Sequence, residues 1–118
     1  MKQQPRWSVR LSAAAEADFE HIIGWTNEKF GEAQALVHAE TLSLAIAALT
    51  EGPAITGAKP RDELIRGLYS LHVARQGRKG SHFIMFRPVR LSSGDVIEVL
   101  RVLHDSMDLA RHLDAPDE

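Results

Sequence analysis

The chain has 118 residues, 44% of them hydrophobic and 25% charged, a composition typical of one globular domain with its own core. It contains no cysteine, which excludes disulfides and thiolate metal sites and is compatible with a reducing cytoplasm. The N-terminus has no apolar signal core, and no stretch of about 18 apolar residues predicts a membrane-spanning helix. We therefore expect a single domain over residues 1–118 in the cytoplasm.

The net charge is only −2, but the charges are unevenly distributed along the chain. Residues 64–94 carry six Lys/Arg and no Asp/Glu, whereas residues 1–63 and 95–118 each carry more acids than bases. A basic block between acidic flanks favours an acidic binding partner. The alternative is a solvated hairpin whose charges only keep the protein soluble.

The N-terminal third predicts a strand followed by a helix. Residues 6–11 alternate polar and apolar side chains, which is typical of a half-buried strand. Ser12 then has the position of a helix N-cap, and Gly31 is a natural helix stop. The predicted helix between them has an apolar face formed by Ala15, Phe19, Ile22, Ile23 and Phe30.

A second helix is predicted from about Glu32 to Glu51, ending before Gly52-Pro53. Because the link between the two helices is so short, we expect them to pack as an antiparallel hairpin. The buried stripe of the second helix is predicted to comprise Leu42, Ala45, Ile46 and Leu49.

After a loop at 52–63, the apolar period changes from helical to alternating. Turns at Gln76-Gly77 and Ser93-Gly94 predict an antiparallel meander, and Pro88 places the end of the middle strand at an edge or bulge. The last strand is apolar almost throughout, so we expect it inside the sheet. The three predicted strands are Leu68–Ala74, Ser81–Val89 and Val96–Leu103, followed by a short helix, Asp108–Leu113.

The predicted fold class is therefore α+β, in the order strand, helix, helix, three strands. An antiparallel-rich sheet is packed by the helical hairpin, with a short C-terminal helix at the end. Because two helices cover only one face of a sheet, we expect apolar side chains of the last strand to remain exposed on the other. The alternative is that the closing helix folds back over them.

His104-Asp105 is the one pair that suggests catalysis, since a histidine can act as a general base that an aspartate orients. We favour a structural role, in which His104 caps the corner and Asp105 and Asp108 serve the N-terminus of the closing helix. The six histidines form no HxH or HExxH pattern, so no metal site or cofactor is predicted. His72 and His82 facing each other across the hairpin would form at most a weak two-ligand site. Trp7 and Trp25 are expected in the core.

The basic block offers a candidate binding surface. Arginines held by a rigid sheet suit bidentate binding of carboxylates or phosphates. Few aromatic residues lie between them, which disfavours a base-stacking reader of single-stranded nucleic acid. Reversing the charges of Arg78 and Lys79 is expected to weaken the partner contact while preserving the fold. The predicted partner-binding residues are Arg75, Arg78, Lys79 and Arg87.

Four segments follow one another along the chain: Trp7–Ser12, Phe30-Gly31, Ile65–Leu68, and Val102–His104 with Asp108. In these segments, and from about Trp7 to Leu113 as a whole, the chain resembles ParE-type toxins of the ParE/RelE toxin–antitoxin superfamily. The resemblance implies a compact sheet packed by a helical hairpin, and tight binding to a ParD-like antitoxin in a hetero-oligomer. It also implies growth inhibition through DNA gyrase, without enzymatic activity of the toxin itself.

The enzymatic branch of the superfamily, typified by RelE, cleaves messenger RNA on the ribosome with basic residues and a C-terminal tyrosine or histidine. In this chain Arg75, Arg87 and His104 could take those roles. However, no C-terminal tyrosine is present, and residues 95–118 contain only two Lys/Arg. The gyrase inhibitor is therefore favoured and the endonuclease is the alternative. A near-neutral charge without a helix-turn-helix pattern disfavours a DNA-binding module.

Overall fold

The computed structural model of the protein describes residues 7–113, apart from the side chains of Ala110 and His112. The predicted order of elements is confirmed, with one short strand added in the loop after the helices. The elements are β1 (Ser8–Leu11), α1 (Ala13–Phe30), α2 (Glu32–Ala48), a 3-10 turn (Leu49–Glu51), β2 (Lys59–Pro60), β3 (Tyr69–His72), β4 (His82–Leu91), β5 (Gly94–His104) and α3 (Leu109–Leu113).

The two long helices begin and end where their capping residues predict. The Ser12 hydroxyl accepts a hydrogen bond from the Ala15 backbone N–H at 3.0 Å, which satisfies a free donor of the first turn of α1. Gly31 has φ +93°, a conformation that favours glycine, and it alone separates α1 from α2. The second helix ends three residues early, because Leu49–Glu51 tightens into a 3-10 turn before Gly52.

The sheet has five strands in the order β1-β5-β4-β3-β2. The predicted meander is confirmed, since β3, β4 and β5 pair antiparallel and β5 lies inside the sheet. Strand β1 pairs parallel with β5, with Val9 opposite Ile97, so the first strand of the chain lies beside the last one. Strand β3 pairs only with residues 83–86 of β4, so Pro88 lies where β4 has lost one neighbour, as predicted.

The main core lies between the helices and the sheet. The predicted inward residues of β1 and α2 and most of those of α1 pack into it. Two predictions are wrong here: Phe30 is 65% exposed and Trp25 is 49% exposed. Phe30 is the last residue of α1, where the chain turns back and no further element covers it, and the Trp25 ring packs edge-on against it at 5.8 Å.

The second face of the sheet is also covered, contrary to our expectation. The residues buried there come from the sheet, from the segment before β3 and from α3, with Leu64, Phe83, Leu100 and Leu109 packed around them. The alternative, in which the closing helix covers this face, is the one confirmed. The buried residues are Leu68, Met85, Leu103 and Leu113.

A β-bulge in β5 connects the sheet to α1. The register shifts between Met85 and Phe86, which pair with Arg101 and Val99 and leave Leu100 unpaired. The Ser12 hydroxyl donates to the Leu100 carbonyl at 2.9 Å. A side chain and a backbone N–H at the bulge both bind Asp18 of α1. Asp18 accepts hydrogen bonds from Arg101 Nε at 2.7 Å and Nη2 at 3.0 Å, and from the Val102 N–H at 2.9 Å.

The stretch Glu32–Glu51 is more apolar than we expected from the sequence. Its mean hydropathy of 1.2 meets, by length and composition alone, the criterion for a membrane-spanning helix. The core helix of a globular domain can meet the same criterion, and Leu42, Ala45 and Leu49 are buried in the core. Only 28% of the stretch is buried, so its outer surface is also apolar.

Replacing Asp18 with Asn tests the link between α1 and the bulge. The change removes a charged acceptor that binds both the half-buried Arg101 guanidinium and the Val102 N–H. We expect the free energy of unfolding to fall by about 2–3 kcal/mol, measured by urea denaturation. The exposed pair between Asp95 and Arg90 is the control, and Asp95→Asn should change stability by less than about 1 kcal/mol. Equal effects of the two changes would contradict the assignment.

Candidate binding groove

A groove of about 670 Å³ lies between the helical hairpin and the end of the sheet where β4 begins and β5 ends. We call it the hairpin groove. Its apolar wall comes mainly from α1 and α2, and its polar floor comes from α2, β4 and β5. The apolar wall consists of Ile22, Trp25, Phe30, Val37 and Met107, and the titratable lining residues are His21, His38, Lys79, His82 and His104.

Three histidines from three different elements meet in the floor of the groove. The His82 ring lies 5.4 Å from that of His38 and 5.1 Å from that of His104, measured between ring centroids. Residues His82 and His104 are paired across β4 and β5, whereas His38 comes from α2. Among residues 7–113, no group of three or more His, Cys, Asp or Glu side chains has a geometry that could hold a metal ion. The floor is therefore an imidazole cluster without ligand geometry.

His82 is the buried member of this cluster. It is 8% exposed, and its Nδ1 atom is buried without a hydrogen-bond partner. Burial, together with smaller contributions from the neighbouring His38 and His104, lowers the pKa of His82 to about 4. His82 is consequently neutral near pH 7.

The hydrogen bonds of the other two histidines fix which ring nitrogen carries the proton. The Thr26 hydroxyl donates its one proton to the Ile22 carbonyl, so the 3.2 Å contact with His38 requires Nδ1–H of His38 to donate to Thr26. The Ser106 N–H donates to Nδ1 of His104 at 3.1 Å, so neutral His104 carries its proton on Nε2. The remaining nitrogens are therefore an acceptor, His38 Nε2, and a donor, His104 Nε2–H.

The predicted corner role of His104 is confirmed, because its ring accepts hydrogen bonds from the N–H of Ser106 and caps the turn after β5. The expectation for Asp105 is wrong. Its carboxylate accepts a hydrogen bond from His72 Nε2 at 2.9 Å and does not cap the closing helix. This hydrogen bond from His72 lowers the pKa of Asp105. Asp105 therefore orients His72 across the sheet and does not form the hydrogen bond to His104 that a general base would need.

His72 and His82 do not face each other. The Val73 N–H donates to the His82 carbonyl, and the register places His72 opposite Phe83. Because alternate residues of a strand point to opposite faces, His82 turns toward the helices and His72 toward the other side. The weak two-ligand site considered from the sequence is therefore not formed.

The four predicted partner-binding residues do not form one cluster. The Arg78 guanidinium binds Thr41 Oγ1 at 2.7 Å and the Val37 carbonyl at 3.2 Å, which ties the β3–β4 hairpin to α2. Arg87 forms an ion pair with Glu98 at 2.9 Å, and Arg75 contacts the Thr56 carbonyl at 3.4 Å. Lys79 is exposed on the wall of the hairpin groove. Their role in partner binding stays a prediction.

The structural role of Arg78 changes one expectation. Reversing its charge would remove hydrogen bonds to α2 and place a carboxylate beside Glu40, its present ion-pair partner. We therefore no longer expect the Arg78 and Lys79 double reversal to preserve the fold. Lys79 alone is the suitable position for testing the charge of this hairpin.

Two of the three candidate nuclease residues, Arg87 and His104, are also separated. His104 pairs with His82, and Arg87 lies five residues further along β4, a distance of about 17 Å at the usual rise per residue. Phe86 packs in the helix-side core, so Arg87 points to the opposite face from His104.

The hairpin groove continues into an exposed apolar surface that the sequence did not reveal. We call this the hairpin surface. Apart from Phe30, its residues lie off the apolar stripes predicted for α1 and α2. Apolar residues outside those stripes are the sequence signal that could have identified this surface. Their side chains are 49–65% exposed, and they are Trp25, Phe30, Leu36, Val37 and Leu44.

The burial of His82 predicts a pH-dependent stability. In the unfolded chain this histidine takes up a proton near its ordinary pKa of 6.5, whereas in the folded chain it stays neutral until about pH 4. Stability is therefore full above pH 6.5 and falls as the pH drops through this window, by about 2 kcal/mol between pH 7 and pH 5. His82→Gln should remove this part of the loss in urea denaturation, while the exposed His21→Gln should not. A pH dependence that is the same in all three proteins would contradict it.

A family model and individual known proteins each match most of this chain. Residues 9–109 match the family model described as the ParE toxin of the type II toxin–antitoxin system parDE. The chain is 34% identical to Toxin ParE1 of Caulobacter vibrioides over 104 residues, which cover 88% of this chain and 95% of that protein. It is 33% identical to Toxin ParE of Escherichia coli over 105 residues, covering 87% and 89%.

Among solved structures, the fold is similar to a chain of the chromosomal ParDE TA system from P. aeruginosa. The TM-score is 0.66 at 20% identity, over 83% of this chain and 95% of that chain. The family-model match over residues 9–109 contains both long helices, the five strands apart from Ser8 and all the residues that line the hairpin groove. The chain therefore belongs to the ParE toxin family of type II toxin–antitoxin systems.

Proposed function

We propose that this toxin inhibits growth by binding DNA gyrase and is neutralised by a ParD-like antitoxin that covers the hairpin surface. The observation that carries the antitoxin part is the exposed apolar face of the hairpin. Large apolar side chains exposed together on one helical hairpin favour a protein-binding site over a free surface. The absence of cysteine fits a cytoplasmic location for both interactions.

The antitoxin proposal is also supported by the description of a structure with a similar fold. The P. aeruginosa structure is described as a ParDE toxin–antitoxin system. In the described part of the chain the second face of the sheet is already covered by α3, and five of the eight large apolar side chains that remain exposed lie on the hairpin. Covering it would stabilise the toxin in proportion to the antitoxin concentration above its dissociation constant.

The gyrase proposal is supported by the resemblance to ParE toxins and by the separation of Arg87 from His104, two of the three candidate nuclease residues. A general base and a charge-stabilising arginine must both come within hydrogen-bond reach of the reacting atoms. Arg87 and His104 are about 17 Å apart along the strand and on opposite faces, so they cannot both contact one phosphodiester. A protein–protein contact needs no such convergence.

The proposal predicts that the purified toxin impairs DNA supercoiling by gyrase or traps cleaved DNA, because binding interferes with the strand-passage cycle. The assay uses relaxed plasmid, gyrase and toxin, and toxin already bound to its antitoxin is the control. Ribosome-bound messenger RNA incubated with the toxin should stay intact. Cuts in the messenger at fixed codon positions, abolished by His104→Ala with no effect on gyrase, would show the RelE-like endonuclease instead.

A further inference from the structure

The lining of the hairpin groove is electrostatically one-sided. Within the described part of the chain, its titratable residues are four histidines and Lys79, and no aspartate or glutamate lines it. All of these groups are neutral or positive, and none can be negative. The groove therefore complements a carboxylate and disfavours a cation.

The apolar wall stands directly beside this floor. Trp25 and Phe30 pack against each other and are largely exposed, and Val37 and Met107 are 50% and 41% exposed. A segment that fills the groove would bury these side chains and would have to offer large apolar groups of its own. The ligand that fits is a peptide in which a carboxylate is flanked by large apolar side chains.

The free ring nitrogens define how a carboxylate would be held. Nε2–H of His104 can donate to a carboxylate oxygen in the neutral state of the ring. Nε2 of His38 is an acceptor and can donate only after it gains a proton, because its Nδ1–H is already given to Thr26. Two hydrogen bonds to one carboxylate therefore require one added proton.

We propose that the hairpin groove receives a segment of the antitoxin that places a carboxylate between His38 and His104, and that binding this segment takes up a proton. The inference rests on the proposed function in one respect, that an antitoxin binds this toxin. It adds which chemistry the partner must present to the groove and how binding depends on pH.

The empty groove disfavours the added proton. Burial lowers the pKa of His38, and it lowers the pKa of His82 between His38 and His104. The charged groups that act on His82 are His38 from α2, His104 from β5, His72 from β3 and Asp105. Asp105 is the acid among them, and its carboxylate binds His72. A carboxylate entering the groove would supply the missing negative charge and raise the pKa of the imidazoles it meets.

The test uses the purified toxin and the protein encoded by the gene adjacent to it. Isothermal titration calorimetry in two buffers of different ionisation enthalpy, at the same pH, measures the number of protons taken up on binding. At pH 7 we expect roughly half a proton to one proton, and an affinity about three- to tenfold higher at pH 6 than at pH 7.5.

Matched variants locate the effect. His38→Gln combined with His104→Gln should abolish the proton uptake, whereas His72→Gln, outside the groove, should retain it. Lys79→Gln should weaken binding about three- to fivefold through slower association, and Lys59→Gln should not. In the antitoxin, one Asp→Asn or Glu→Gln change should remove both the proton uptake and the effect of the His38 and His104 changes.

The outcomes separate this inference from the proposed function. Antitoxin binding without proton uptake, or with the same uptake in the double histidine variant, would overturn the inference and leave the toxin–antitoxin pairing intact. Toxin copies that associate through the groove while the antitoxin binds elsewhere would overturn it as well. If the adjacent protein does not bind at any pH, the antitoxin proposal fails and the inference fails with it.

Discussion

The hydrogen bonds between Asp18 and the bulge of β5 fix the position of the two long helices on the sheet. A bulge leaves backbone groups without strand partners, and α1 satisfies two of them. The Ser12 hydroxyl binds the Leu100 carbonyl and Asp18 binds the Val102 N–H. The bidentate contact with Arg101 also fixes the orientation of the Asp18 carboxylate, because the guanidinium is planar. Helix α1 is thereby docked at one register on the sheet.

The position of α1 determines the groove. Helix α2 follows after the single residue Gly31, so its placement depends on that of α1, and Arg78 then ties α2 to the β3–β4 hairpin. These two polar links bring His38 of α2 over His82 of β4. Each link uses one charged side chain satisfied by several acceptors or donors, which is the kind of polar contact that specifies a geometry. The groove is therefore formed before any partner arrives.

The sequence predicted the elements well because their signals are local. Ser12 and Gly31 mark the helix termini, and alternation marks β4 and β5. The contacts that define the site are not local. The parallel pairing of β1 with β5, the bulge at Leu100 and the meeting of His38 with His82 depend on register between distant segments, which periodicity does not encode. The expectation for Trp25 failed for a related reason, since an apolar residue in an amphipathic helix predicts burial, whereas this one is exposed on the hairpin surface.

In the folded protein, less of the positive charge of residues 64–94 is available to a partner than the sequence suggests. Three of its six cations pair with acids from the flanking segments: Arg78 with Glu40, Arg87 with Glu98 and Arg90 with Asp95. Within residues 7–113, Arg66, Arg75 and Lys79 have no acidic partner, and Lys79 is the one that lines the hairpin groove. Exposed pairs of this kind contribute little stability, but they cancel the field of the block at a distance. Of the three charges that remain available to a partner, that of Lys79 lies beside the histidines, where a short-range contact with a carboxylate can use it.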